Sequence, residues 1–332
     1  MIKLVEKRKP DTVMMRDVYI DQLIEFAKSD PNIIVLDADL MHSNGTYRFL
    51  EKFPERAINV GVQEANMMGI AAGLSATGKI PFTHTFACFS TRRALDQVYI
   101  SIAYNKLNVK MMATDPGVTA AYNGGTHMPL EDIGFVRGIP TITIIEPVDT
   151  VMMKALLKDI TYSYGPFYVR ISRKTTIRVF EEGSSFEIGK GIVLREGKDV
   201  TIIATGIMVA EALDAADLLA SEGIDARVVN IFTIKPIDRE LIEKCASETG
   251  AIVTAENHNI YNGLGSAVAE VVAETCPVPI ERVGVKDLFG EVGDVDYLKK
   301  RFNMTAQDIA TSVKNVLLRK QCKSGGDEQC IC

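Results

Sequence analysis

Four short clusters in the first half of the chain bring together side chains able to move protons, stack on a flat ring or hold a sugar. Gly61-Val62-Gln63-Glu64-Ala65-Asn66 runs into Met67-Met68-Gly69-Ile70-Ala71-Ala72, so a carboxylate leads a helix whose next turns are almost wholly apolar. A Glu in a first helical turn is ordinarily a surface residue favoured by the helix dipole. Leading a helix buried on most sides, it needs a partner or a shifted pKa, which makes Glu64 a candidate for acid–base work. Phe86 and Phe89 end the aromatic run PFTHTFACF and are either core or the wall of a cleft for a flat ring. A glycine-bearing loop from Asp115 through Asn123-Gly124-Gly125-Thr126-His127 offers His127 as a proton carrier, unless it is a plain turn. Asp37-Ala38-Asp39-Leu40 and Ser43-Asn44 follow the strand NIIVL, where open α/β sheets bind ligands; the same residues also suit a capped loop.

Such side chains need rigid supports, and the hydrophobic pattern supplies them. Short β-branched runs at 32–36, 57–60, 109–113, 141–145, 200–204, 227–231 and 251–254 alternate with amphipathic helical patterns at 13–29, 64–77, 150–160, 209–221 and 264–274. Strand and helix in alternation imply parallel sheets covered on both faces, that is, an α/β protein of two doubly wound domains. The polar stretch at 172–198 places the boundary near 185, giving domains at 1–185 and 186–318 and a flexible tail at 319–332.

Composition excludes several classes. Hydrophobic residues at 47% and charged residues at 24% suit a globular chain, so disorder, collagen and a disulfide mini-protein are set aside. The net charge is −6 and the one dense basic run is Lys7-Arg8-Lys9, which argues against a nucleic-acid partner. No apolar stretch reaches about 18 residues, and no apolar region follows the basic residues of the start, so neither a membrane span nor a secretory signal is expected. Six scattered cysteines read as reduced thiols of a cytoplasmic protein, and Cys330-Ile331-Cys332 lacks a second ligand pair for a metal. Asn262-Gly263-Leu264-Gly265-Ser266 lacks the third glycine and the acid of a dinucleotide fingerprint, which sets NAD aside.

Taken together, IIVLDADLMHSN, INVGVQEANMMGIAAGLSATGKIPF, HTFACFSTRRALDQV and GGTHMPLEDIGFVRGIPTITIIEPVD resemble the pyrimidine-binding domain of a transketolase. DVTIIATGIMVAEALDAADLLASEGIDARVVNI and AENHNIYNGLGSAVAE resemble its C-terminal domain. The likeness runs from about residue 12 to 318 and is nearest to the C-terminal subunit of a split, two-chain transketolase. It implies thiamine diphosphate as cofactor and transfer of a two-carbon ketol unit from a ketose to an aldose. The family grips the diphosphate and its metal through a GDG motif, which these 332 residues lack. The resemblance therefore implies an N-terminal partner subunit holding the diphosphate with Mg2+ or Ca2+, a dimer of such heterodimers, and no metal ligand in this chain. A 2-oxoacid dehydrogenase β subunit, a deoxyxylulose-phosphate-synthase-like enzyme and a non-catalytic scaffold chain are the competing readings.

By the same resemblance Glu64 hydrogen-bonds the pyrimidine N1′, Phe86 and Phe89 stack on that ring, and Asp39 stands at the cofactor edge. Arg92 falls where many members carry a third aromatic, and a guanidinium can stack there. His127 matches a histidine that bonds the substrate and assists proton transfer; Arg16, Ser43, Arg173, Asp115 and Asn123 match the remaining substrate contacts. Two of these depart from the family pattern. Asp115 replaces a histidine and Asn123 an aspartate, and a carboxylate about 4 Å from an anion costs about 4 kcal/mol at an effective dielectric of 20. An anionic sugar end is therefore repelled unless Asp115 points away or pairs with an arginine, and a modified, branched or unphosphorylated sugar is expected.

Overall fold

A computed structural model describes residues 2–325. Its fourteen strands are β1 Leu4–Pro10, β2 Ile33–Asp37, β3 Ala57–Asn59, β4 Ile80–Phe86, β5 Lys110–Thr114, β6 Thr143–Ile145, β7 Phe167–Ile171, β8 Ile177–Phe180, β9 Ile192–Arg195, β10 Val200–Ala204, β11 Ala226–Asn230, β12 Thr233–Lys235, β13 Ile252–Asn259 and β14 Ile280–Val285. They form a seven-stranded sheet ordered β12-β6-β7-β5-β4-β2-β3, a five-stranded sheet ordered β14-β13-β10-β11-β9, and a β1-β8 pair. Only β12 and β9 run antiparallel within the two larger sheets, so the α/β architecture is the one the alternating pattern implies.

Strands such as β2 (IIVLD) and β10 (VTIIA) are buried at every residue, which is why they read as unbroken apolar runs. The helix Thr150–Tyr162 starts where Asp149 accepts the Met152 N–H at 2.9 Å; the same carboxylate accepts the Val179 and Phe180 N–H groups at 2.8 Å each, tying β8 to that helix. The last helix, Ala306–Gly325, continues past the residue where the flexible tail was expected to begin, because its apolar stripe at Ile309, Ala310, Val313 and Val316 packs into the core. The rest of that expected tail, including the CxC pair, lies outside the described residues.

Two features join the halves. The strand β12 comes from the sequence of the second sheet yet completes the edge of the first, pairing with β6. Behind it, Arg170 of β7 is fully buried and donates to Asp132 (2.9 and 3.1 Å), to Glu146 (2.7 Å) and to the Asn257 carbonyl of β13 (3.0 Å). Tyr168 adds its hydroxyl to Asp132 at 2.8 Å. Burial pushes Glu146 above the usual carboxylate range, and Arg170 opposes that push. Removing the cation leaves two carboxylates buried without compensation, so Arg170→Leu is expected to lower stability by about 3–5 kcal/mol in urea unfolding. A loss under about 1 kcal/mol would show that the network is not an ion-pair clamp.

Candidate active site

The carboxyl ends of five adjacent strands, taken in spatial order β7, β5, β4, β2, β3, carry Arg173, Asp115, Phe86, Asp39 and the turn leading to Glu64. This edge is where open α/β sheets hold ligands.

Glu64 opens the helix Glu64–Ala76 and is 3% exposed. Its Oε1 accepts from Arg93 Nη1 at 3.0 Å, and the Arg93 guanidinium lies 3.7 Å from the centroid of the Phe89 ring. A planar N–H-bearing group thus sits between a carboxylate and an aromatic face. Phe86 and Phe89 stand with centroids 5.9 Å apart, and His127 meets both edge-on at 5.9 and 5.1 Å. This set fits a flat heteroaromatic ring. Among the described residues no group of His, Cys, Asp and Glu is placed to hold a metal.

Asp39 is exposed and held in the left-handed region, φ +64°, by a two-way bond with Asn59: its N–H donates to Asn59 Oδ1 and its own Oδ1 accepts from Asn59 Nδ2, both at 3.1 Å. The buried Asp37 beside it accepts from the Leu40 N–H, Asn44 and Thr46, which settles that aspartate as the organiser of the loop.

At the sugar end, Asp115 is 1% exposed and ion-paired with Arg173, whose Nε donates to Oδ2 at 2.6 Å. Of the two arrangements open to this carboxylate, pairing with an arginine is the one found. Asn123 Nδ2 reaches the same oxygen at 3.5 Å, while Asp115 Oδ1 is buried without a hydrogen-bond partner. Arg173 also lies 4.7 Å from the Phe86 ring centroid. Arg16 donates to the Ser43 carbonyl at 2.5 Å, so the Ser43 hydroxyl is not the group it holds, and its Nε is buried without a hydrogen bond. His127 Nδ1 lies 2.9 Å from the Thr126 hydroxyl, leaving Nε2 free to face a ligand.

Arg92 does not stack. It pairs with Glu131 and donates to the Thr126 and Met128 carbonyls at 3.0 and 3.2 Å, because the helix Ala87–Arg92 points it at the His127 loop. Its neighbour Arg93 takes the aromatic contact instead. Sequence reasoning passed over Arg93 although it stands in the same STRRAL run; the signal was a buried Glu that required a cation. The partial glycine motif at 262–266 is also explained. Glu256 accepts the Leu264 and Gly265 N–H groups at 2.7 and 2.9 Å, filling that helix start with the chain's own carboxylate. A cavity of about 710 Å³ is lined by Arg92, Thr126, Met128, Asn259 and Phe289 and by none of Glu64, Phe86 or Phe89.

A carboxylate, a ring wall and a loop histidine stand together along one sheet edge. Residues 11–177 match the family described as "Transketolase, pyrimidine binding domain" and residues 189–309 match "Transketolase, C-terminal domain", and the chain belongs to the transketolase family, whose cofactor is thiamine diphosphate. It is 53% identical over 306 residues, 92% of this chain and 95% of the relative, to the 6-deoxy-6-sulfo-D-fructose transketolase subunit SqwH of Clostridium sp. (strain MSTE9). It is 37% identical over 276 residues to an apulose-4-phosphate transketolase subunit of Phocaeicola vulgatus, covering 83% of this chain and 88% of that one. A solved structure described as a split gene transketolase, inactive beta4 tetramer, shares 45% identity and superimposes with a TM-score of 0.86 over 93% of this chain and all of that one. The transketolase from Leishmania mexicana shares the fold at 23% identity and a TM-score of 0.76; this chain covers 48% of it.

If Asp115 neutralises Arg173, Asp115→Asn releases a cation at the sugar end. The variant's melting temperature is then expected to rise with added inorganic sulfate more steeply than the wild type's. Equal responses would sink the neutralisation argument.

Proposed function

We propose that this chain is the C-terminal subunit of a two-chain ketol transferase acting on a modified sugar, completed by an N-terminal subunit. That partner brings the diphosphate-binding half with Mg2+ or Ca2+, and the two pair as a dimer of heterodimers in the cytoplasm. One observation carries the reading: the buried Glu64 carboxylate and the Phe86 and Phe89 rings stand together on one sheet edge, which supports a seat for a flat ring. The surface around it is apolar in the way a partner interface is. Val62 is 64% exposed, and Tyr99, Ile100 and Tyr104 expose their side chains on the segment packed against the Glu64 helix. The relative of known structure is described as an inactive tetramer of its β chain alone, which suits the same division.

Thiamine diphosphate, when bound, supplies the carbanion chemistry of the reaction. Each residue's part follows from its environment. Glu64 holds the proton balance at a ring nitrogen, and its burial keeps that coupling from being screened by water. Phe86 and Phe89 orient the ring by offset stacking, worth about 0.5–1.5 kcal/mol beyond buried area. Asp39 marks the cofactor edge facing the partner. His127 presents Nε2 to the sugar near the bond that breaks. Asp115 Oδ1, buried and unpaired, accepts a sugar hydroxyl, with Asn123 beside it able to donate as well as accept. With Arg173 paired to Asp115, Arg16, which bonds the Ser43 carbonyl and has its Nε 3.5 Å from Asp17 Oδ1, is the other arginine toward an anionic sugar end. Two arginines each already held near a carboxylate fit a donor with an altered terminus, and the relatives are named for 6-deoxy-6-sulfo-D-fructose and apulose 4-phosphate.

The test is to assay the chain alone and with its N-terminal subunit, with thiamine diphosphate and Mg2+, against sulfonated, phosphorylated and unphosphorylated ketoses. Turnover is expected only in the two-chain complex, with a modified ketose giving a higher kcat/KM than xylulose 5-phosphate. Turnover by the chain alone would overturn the half-site reading, and xylulose 5-phosphate as best donor would overturn the substrate class.

A further inference from the structure

The loop from Asp115 to Leu130 carries Asp115, Asn123 and His127, yet much of its support comes from the other domain. Its neck closes where the Gly117 N–H donates to the Pro129 carbonyl at 3.1 Å. Asn257, within β13, grips that neck on both sides: Oδ1 accepts the Val118 N–H at 2.8 Å and Nδ2 donates to the Pro116 carbonyl at 2.9 Å. The Asn259 N–H adds a bond to the Leu130 carbonyl at 2.7 Å. Gly117 has φ +53°, and a Cβ there would lie 2.2 Å from Asn257 Oδ1, so only glycine lets the two domains approach this closely.

The tip is held as tightly. A Cβ on Gly125 would lie 2.2 Å from the Gly290 carbonyl, and one on Gly290 would lie 2.6 Å from Met128 Sδ. Gly125 and Met128 flank Thr126-His127, and Arg92 holds the Thr126 and Met128 carbonyls. His127 is therefore fixed between Arg92 and Gly290. Between neck and tip, Ala121 sits at φ +48°, ψ −119°, a strained conformation that persists only where surroundings over-determine it.

We propose that the C-terminal domain serves the reaction as a rigid mould for this loop, with Asn257 and Gly290 as positioning residues for Asp115 and His127. The inference rests on the functional reading above for the reaction it serves; the mould itself rests on the contacts alone. Glu64, Phe86 and Phe89 sit on other elements, so loosening the mould should misplace the sugar contacts and spare the cofactor seat. A misplacement of about 1 Å is enough to cost about a hundredfold in rate.

Gly290→Ala and Asn257→Ala, made in the full chain, separate the two effects. In hydrogen exchange on the chain alone, amides of 118–128 are expected to exchange at least about tenfold faster, with those of β5 and the Glu64–Ala76 helix unchanged. In the complex with the N-terminal subunit, kcat/KM for the sugar is expected to fall at least about tenfold while the thiamine diphosphate Kd stays within about twofold by calorimetric titration. Unchanged exchange in both variants, or exchange rising across the whole chain with cofactor affinity lost in parallel, would overturn the mould. A wild-type complex inactive on every ketose defeats the functional reading alone, and the exchange arm still decides the mould.

Discussion

Everything near the site leans on one buried cation. Arg170 sits at the junction of both sheets and spends its donors on Asp132, Glu146 and the Asn257 carbonyl, with no part of its side chain reaching water. In isolation such a cluster is a poor source of stability, since desolvating three charges offsets much of their attraction. Its value is registry. Asp132 starts the helix that follows the His127 loop, Glu146 follows β6, and Asn257 lies in β13 of the other sheet, so one guanidinium on β7 ties its own sheet to a helix and to a strand with which it shares no backbone ladder. Glu146 projects so far into the second sheet that a Cβ on Gly206 would meet its Oε1 at 2.5 Å.

The strand carrying that cation also leads to the sugar end. From Arg170 the chain passes Ile171 and Ser172 to Arg173, whose partner Asp115 opens the loop that Asn257 grips. Arg170 bonds the Asn257 carbonyl while the Asn257 side chain bonds the loop, so the residue links the buried network to the site directly. A change in packing between the domains would reach Asp115 through two hydrogen-bonded steps.

Much of this was legible in the sequence, and the limits are physical. Buried parallel strands announce themselves as unbroken apolar runs, so β2, β5 and β10 were readable to within a residue or two at each end. Strand β7 was not, because FYVRI hides an arginine that only tertiary carboxylates make tolerable. Glu64 was readable as a carboxylate that its helix could not leave unpaired, whereas its partner Arg93 lies 29 residues on, a pairing no local period encodes. Strand β12, three residues long and borrowed by the other sheet, carries too little pattern to be seen. Asn257 lies 139 residues from Val118, and nothing about an asparagine in the ENHN run marks it as a cross-domain clamp.

The arrangement separates two tasks that a transketolase-type subunit must perform. The proposed ring seat uses the ends of β3 and β4 and two helices, Glu64–Ala76 and Ala87–Arg92, all within the first sheet's own unit. Half of the proposed sugar contacts, Asp115, Asn123 and His127, ride on a loop that β13 and the segment around Gly290 pack against. Both departures from the family pattern, Asp115 and Asn123, fall in that loop, and neither touches the ring seat. Substitutions there alter charge and donor pattern toward the sugar, while the mould keeps the backbone that presents them. A fold built this way can change the sugar it accepts one side chain at a time without disturbing the cofactor chemistry beside it.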